Sequence, residues 1–178
     1  MRKIYLLLYY YFLRWAPVSY HFGGKLSTKA RRAVCSKLFL EVGKNVNIER
    51  GVEFGSGKNI RIGDNSGLGI NAVIPEGSII GKDVMMGPNC YIHARNHNFN
   101  RLDIPMREQG GTEYLPVIID DDVWIGRDVT IMRGRHISKG TVVAANSVVT
   151  KDFPPYSIIG GNPAKLIRSR KDQSPSGQ

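Results

Sequence analysis

Aliphatic side chains recur at every sixth position through most of this 178-residue chain, and that spacing constrains its fold more than any other feature. Ile62, Leu68, Ile74, Ile80, Met86 and Ile92 form one unbroken series, and Ile119, Ile125, Ile131, Ile137, Val143 and Val149 form a second. Val42, Ile48 and Phe54 lead in. Four positions after most anchors stands a small or aliphatic residue: Ser66, Ala72, Ser78, Val84, Cys90, Val123, Val129, Thr141 and Ser147. A period of six matches neither the 3.6 of a helix nor the 2 of a strand. It predicts a solenoid of short strands and tight turns, each repeat pointing one residue onto a shared axis. Gly and Asn recur where such turns need positive φ, as in Gly43-Lys44-Asn45, Gly57-Lys58-Asn59 and Gly63-Asp64-Asn65. Chance yields one or two six-spaced aliphatics in a chain that is 42% hydrophobic, but not two runs of six.

The length fits one domain, organised as a basic, apolar helical extension over residues 1–40, a solenoid over 41–168 and a polar tail over 169–178. The formal charge of +10 is uneven. No Asp or Glu precedes Glu41, whereas Arg2, Lys3, Arg14, Lys25, Lys29, Arg31, Arg32 and Lys37 all do. Ile4 to Leu13 is apolar and aromatic but too short to span a bilayer, and no small-x-small cleavage site follows it. A second helix is expected from about Ser27 to Leu40, capped by Ser27 or Thr28, with Ala30, Ala33, Val34 and Leu38 on one face and Lys29, Arg31, Arg32 and Lys37 making the rest basic. Two readings of the extension stand side by side. It packs on the solenoid or a neighbouring subunit, or it rests on an anionic membrane surface through aromatic and basic residues. No recognition motif accompanies the charge, which argues against nucleic acid. Cys35 and Cys90 have no metal or disulfide spacing, which fits a reducing, cytoplasmic setting.

The six-residue register breaks after Ile92 and resumes at Ile119 out of phase, so a loop, taken as 96–116, must leave the column. Loops thrown from regular scaffolds are usually functional. This one opens with His93-Ala94-Arg95-Asn96-His97-Asn98-Phe99, and a histidine at such a junction suits general-base chemistry near neutral pH. A surface or capping histidine is the alternative.

The repeats, the looped-out Asn96-His97, the stretch Val123-Trp124-Ile125-Gly126, the run Val149-Thr150-Lys151-Asp152-Phe153-Pro154-Pro155 and the turn Gly161-Asn162-Pro163-Ala164 occur in an order that resembles the hexapeptide-repeat acyltransferases of the galactoside, maltose and xenobiotic acetyltransferase group. The hydrophobic basic start is similar to that of the subset that O-acetylates bacterial surface polysaccharides. The resemblance implies an all-β, left-handed parallel β-helix assembled as a homotrimer, with an acetyl-CoA-dependent O-acetyltransferase site between subunits and no metal. It implies His97 as catalytic base. It implies Trp124, Arg127, Ala145, Thr150, Lys151, Lys165 and Arg168 along acetyl-CoA, and Asn71 and Asn96 toward the acceptor. Two departures stand out: Arg127 occupies a position where the family often has Ser, and Gly69 one where galactoside enzymes carry an acceptor-binding Asn. Rival functions are drug acetylation, a non-catalytic trimeric scaffold and a zinc carbonic anhydrase. The last needs three histidine ligands, yet no histidine lies between His97 and His136.

Overall fold

The computed structural model describes residues 1–172, so the part of the 169–178 tail from residue 173 onward lies outside the described residues. Residues from Glu41 onward wind into a parallel β-helix with three faces. The first face stacks Glu41–Val42, Arg61–Ile62, Ile79–Ile80, Ile118–Ile119 and His136–Ile137. The second stacks Asn47–Ile48, Gly67–Leu68, Met85–Met86, Trp124–Ile125 and Val142–Val143, and ends on Ser157–Gly160 with an antiparallel final strand, Lys165–Ser169. The third carries Tyr91–Ile92, Thr130–Ile131 and Val148–Val149, extended below by bridges from Glu53 to Val73 and from Val73 to Tyr91.

Each strand from Glu41 to Val149 is two residues long because the chain turns a corner about every sixth residue. The second residue of each pair points inward: Ile62, Ile80, Ile119 and Ile137 stack in register on one face, and Met86, Ile125, Val143 and Ile159 on another. All of these are buried, as are Ser66, Ala72, Ser78, Val84, Cys90, Val123, Val129, Thr141 and Ser147 at the corners. The repeats therefore give up their outward residues to solvent and share one continuous apolar column.

The corners explain the recurrence of Asn and Asp. Asn45, Asn65, Asp83 and Asp122 on the first corner, and Asn71, Asn89, Asp128 and Asn146 on the second, all have positive φ, which short polar side chains tolerate best. Their side chains form ladders between coils: Asn45 to Asn65 to Asp83, and Asn71 to Asn89 to Asp128, with spacings of 2.9–3.2 Å. Beside them the coils nearly touch. A Cβ on Gly69 would lie 2.0 Å from the carbonyl oxygen of Gly87.

Two helices close the start of the column. α1 (Arg2–Tyr11) lays Tyr9 and Tyr10 over Phe54 at 4.4 and 5.5 Å between ring centres. The Tyr9 hydroxyl donates to the Val52 carbonyl at 3.0 Å and that of Tyr10 to the Gly55 carbonyl at 2.9 Å. Burial raises both phenol pKa values. α2 spans Gly24–Cys35, which corrects the expected range of Ser27 to Leu40. The chain enters α2 from the left-handed Gly23, and any Cβ on Gly24 would strike the Val18 carbonyl at 2.0 Å. Ser27 is therefore inside the helix, its hydroxyl donating back to the Gly23 carbonyl at 3.2 Å, and it caps nothing. Residues 36–40 turn out of the helix, with Leu38 and Phe39 packed into the core.

Arg31 is the second correction. Counted with the exposed basic face, it is fully buried. Its guanidinium donates to the carbonyls of Ile48 at 2.5 Å, Ala16 at 3.1 Å and Pro17 at 3.1 Å, and Glu49 lies 3.8 Å away. Burial lowers its pKa, and Glu49 opposes the shift. Arg31 thus joins three segments distant in sequence: the turn after α1, α2, and the second face.

Candidate active site

The loop leaves at the third corner. Ile80 pairs with Ile119, thirty-nine positions on, where neighbouring coils are eighteen apart, so twenty-one residues stand outside the coil. Their base is a hairpin. His97 bridges Gly111 in antiparallel fashion, the Asn98 amide donates to the Gly110 carbonyl at 3.1 Å, and the Thr112 amide donates to the Asn96 carbonyl at 2.8 Å. The Thr112 hydroxyl in turn accepts from the Asn96 amide at 3.0 Å. Further out, the Gln109 side chain donates to the carbonyls of Arg101 and Ile104, at 2.8 and 3.1 Å, and closes the tip. At the root, the Tyr114 hydroxyl donates to the Glu76 carbonyl at 2.9 Å, which ties the loop to the coil below.

His97 is exposed at the neck of this hairpin, and its imidazole has no hydrogen-bond or ion-pair partner among the described residues. It lines a cavity of about 400 Å³ with Arg95, Asn96, Arg107, Gly110 and Gly111. Arg95 and Arg107 were not singled out in the sequence; they arrive from opposite sides of the hairpin, and only its closure brings them beside His97. His93, one turn earlier, stacks with Tyr91 at 4.6 Å. A neutral imidazole among arginines can accept a proton from a hydroxyl, and the arginines can face an anionic or electron-rich group.

The other expected residues are spread over the column. Trp124 stands on the second face, 54% exposed, in register with Met85 and Val142. Arg127, Ala145 and Asn71 share the second corner. Arg127 is held sideways by Asp128, Nε to Oδ2 at 2.8 Å, and Asp128 stays below the ordinary carboxylate range through its hydrogen bonds from Asn89 and Arg127. Thr150 and Lys151 are exposed on the third corner, with Lys151 Nζ 5.5 Å from the Phe153 ring centre. Lys165 and Arg168 are exposed on the final antiparallel strand. One chain therefore brings Asn96 and His97 together, and Arg127 with Ala145, but it does not bring His97 to Trp124.

Asn71 is a turn residue of the second corner, and it also faces the helical extension. With Trp15, Val18, Tyr20, His21, Arg50 and Ile70 it lines a cleft of about 380 Å³ between the helical extension and the second corner. Its walls are aromatic and its edges polar. The docking of the extension places Trp15, Val18, Tyr20 and His21 over Arg50, Ile70 and Asn71.

Comparison with known proteins bears on the whole column. The bacterial transferase hexapeptide (six repeats) profile matches residues 59–94, and the hexapeptide repeat of succinyl-transferase matches residues 116–151. The Escherichia coli galactoside O-acetyltransferase is 32% identical over 145 residues, 80% of this chain and 70% of that protein. A hexapeptide-repeat-containing acetyltransferase of Vibrio cholerae, solved with acetyl coenzyme A, superposes with a TM-score of 0.74 at 38% identity, covering 81% of this chain and 78% of that one. A Clostridium difficile maltose O-acetyltransferase superposes with a TM-score of 0.75 at 31% identity, covering 94% and 85%. The chain spans about half the length of other curated relatives it matches, 44% and 48% of two yeast proteins.

Proposed function

This chain belongs to the hexapeptide-repeat acyltransferase family, and we propose that it transfers an acetyl group from acetyl-CoA to a sugar hydroxyl. The observation that carries the reading is His97: an exposed, unpartnered imidazole on a hairpin neck locked to Gly111, beside a cavity lined by Arg95, Asn96 and Arg107. Its ring nitrogen takes the acceptor proton as the hydroxyl oxygen attacks the thioester carbon. A hydroxyl far from ionising at neutral pH needs that base at the moment of attack. A backbone N–H holds the tetrahedral oxyanion. Collapse re-forms the carbonyl and breaks the carbon–sulfur bond, and the thiolate recovers the proton from the imidazolium, leaving free CoA and an acetyl ester.

Acetyl-CoA fits the basic, exposed residues of the last coils. Ala145 offers a small corner for the nucleotide, Thr150 and Lys151 line its phosphates, and Lys165 and Arg168 face the 3′-phosphate. Trp124 lies along the pantetheine arm. Because His97 and Trp124 are on different sides of one chain, a homotrimer completes the site, the loop of one subunit meeting the second face of the next. A sugar acceptor is supported by the cleft at Asn71, which has aromatic walls, Trp15 and Tyr20, with Arg50, His21 and Asn71 at its edge. Sugars present apolar ring faces and polar rims. Gly69 has no room for the Asn of galactoside enzymes, so the acceptor pocket is built differently here. The enzyme works in the cytoplasm on precursors of surface polysaccharides, with residues 1–40 at the inner face of the membrane.

Thiol release from acetyl-CoA against sugars, lipid-linked sugars and antibiotics tests this reading. Release with a sugar acceptor supports it. Release with antibiotics alone makes the protein a drug-modifying enzyme, and no release with CoA unbound makes it a scaffold.

A further inference from the structure

α1 has two apolar faces, and only one is used. Tyr5, Leu6, Tyr9, Tyr10 and Leu13 pack against the column end. Ile4, Leu7, Leu8 and Tyr11 follow the spacing of an opposite stripe, three and four apart, and with Phe12 at the helix end each is between 39% and 70% exposed. A water-facing helix normally carries polar residues there. Two more large apolar side chains of the extension are exposed: Phe22, just before α2, fully, and Leu26 on α2 to 74%.

Charge indicates what covers this surface. Residues 1–40 contain eight bases and no acid. Arg31 is consumed in the core, Arg14 pairs with Glu53, and Arg2 donates to the Ser56 carbonyl. Lys3, Lys25, Lys29, Arg32 and Lys37 have no ion-pair partner among the described residues. Three of them, Lys25, Lys29 and Arg32, are spaced along one side of α2 and line a groove of about 300 Å³ with Ser19, Thr28 and Asn45. Three cations with two hydroxyls and an amide make a receptor for a phosphate group. Leu26, which follows Lys25 on α2, is exposed but does not line the groove.

We propose that the outward face of α1 is a docking surface for an anionic phospholipid bilayer, with the Lys25–Lys29–Arg32 groove receiving a lipid phosphate. No helix among the described residues is long and apolar enough to cross a membrane, and α1 at ten residues reaches only about 15 Å. It therefore lies in the interfacial plane, its apolar stripe at the acyl boundary and Tyr11 at headgroup depth. The stripe and the groove supply the two signals that stable peripheral attachment requires. Several copies in one assembly would bind together at high effective concentration. This gives a surface to the membrane contact proposed above and stands on geometry separate from His97.

Flotation of the full-length protein with phosphatidylcholine vesicles and with mixed phosphatidylcholine–phosphatidylglycerol vesicles tests it. The parent protein should float with the mixed vesicles at low salt, float less at high salt, and stay behind with phosphatidylcholine alone. Lys25→Gln/Lys29→Gln/Arg32→Gln should weaken partitioning on the order of a hundredfold, at about 1 kcal/mol for each charge near an anionic surface. Leu7→Ser/Phe12→Ser should weaken it as well, with melting unchanged because both side chains are exposed. The proposal falls if the parent does not float, if either variant floats like the parent, or if Leu7→Ser/Phe12→Ser changes the size of the assembly instead, which would make this face a contact between copies. Thiol release with a soluble acceptor should be the same in the parent and both variants. Its absence in a parent that floats ends the acetyl-transfer reading and leaves the docking surface intact.

Discussion

Replacing Arg31 with Met keeps a stem of similar length in a fully buried site and removes every donor. The carbonyls of Ile48, Ala16 and Pro17 lose bonds of 2.5, 3.1 and 3.1 Å, and Glu49 loses its neighbouring cation. An orphaned buried acceptor costs about 1–3 kcal/mol, more when the lost donor was charged. Three acceptors, partly rehydrated by relaxation of the turn after α1, bring the loss to roughly 3–6 kcal/mol. The loss falls on the cap, because a solenoid couples each unit only to its neighbours. Cleavage by chymotrypsin after Tyr9, which is fully buried in the closed cap, reports the opened population when closing is faster than cutting. About 4 kcal/mol corresponds to cleavage faster by roughly a thousandfold. Arg31→Lys, with one donor head in place of a fork, should fall between. Cleavage of Arg31→Met within about threefold of the parent would refute the account of Arg31 as the tie between cap and column.

Ile125→Asp puts a carboxylate in the middle of the apolar column, where the residue is fully buried; it should cost several kcal/mol, and a parental melting curve would show the inward register to be wrong. Gly69→Ala places a methyl 2.0 Å from the Gly87 carbonyl oxygen, so it should lower the melting temperature of the column by several degrees, whereas Gly67→Ala, whose methyl would approach Asn47 no closer than 3.8 Å, should cost far less. Lys165→Gln and Arg168→Gln should weaken binding of CoA more than of dephospho-CoA in calorimetric titration, and equal losses for both ligands would remove these residues from the 3′-phosphate.

The column was legible because the period of six leaves one inward residue per strand, and Ile62 to Ile92 and Ile119 to Val149 each hold that place without a break. The loop was legible for the opposite reason, as a phase slip between Ile92 and Ile119. Arg31 was not, since its partners come from Leu13–Pro17 and Ile48, and a local reading of α2 sees only one more base beside Arg32. The start of α2 differs because the turn that sets it folds the Val18 carbonyl back against Gly24, which no helical spacing shows, and Ser27, three residues on, has the side chain of a better cap. At the site, His97 stood out through its position at the loop junction, but Arg95 and Arg107 become its neighbours only when the hairpin closes. The cleft at Asn71 depends on how the extension docks, which no spacing within 1–40 encodes.

The central claim is that His97 acts as the base of acetyl transfer. Its most direct test is steady-state thiol release from acetyl-CoA by His97→Ala beside the parent and His93→Ala, each with a melting curve and a CoA titration. The account predicts a fall in turnover of about 10²–10⁴ for His97→Ala, unchanged CoA affinity and melting, and a small effect for His93→Ala. Parental turnover in His97→Ala, or equal and large losses at both histidines, would contradict it.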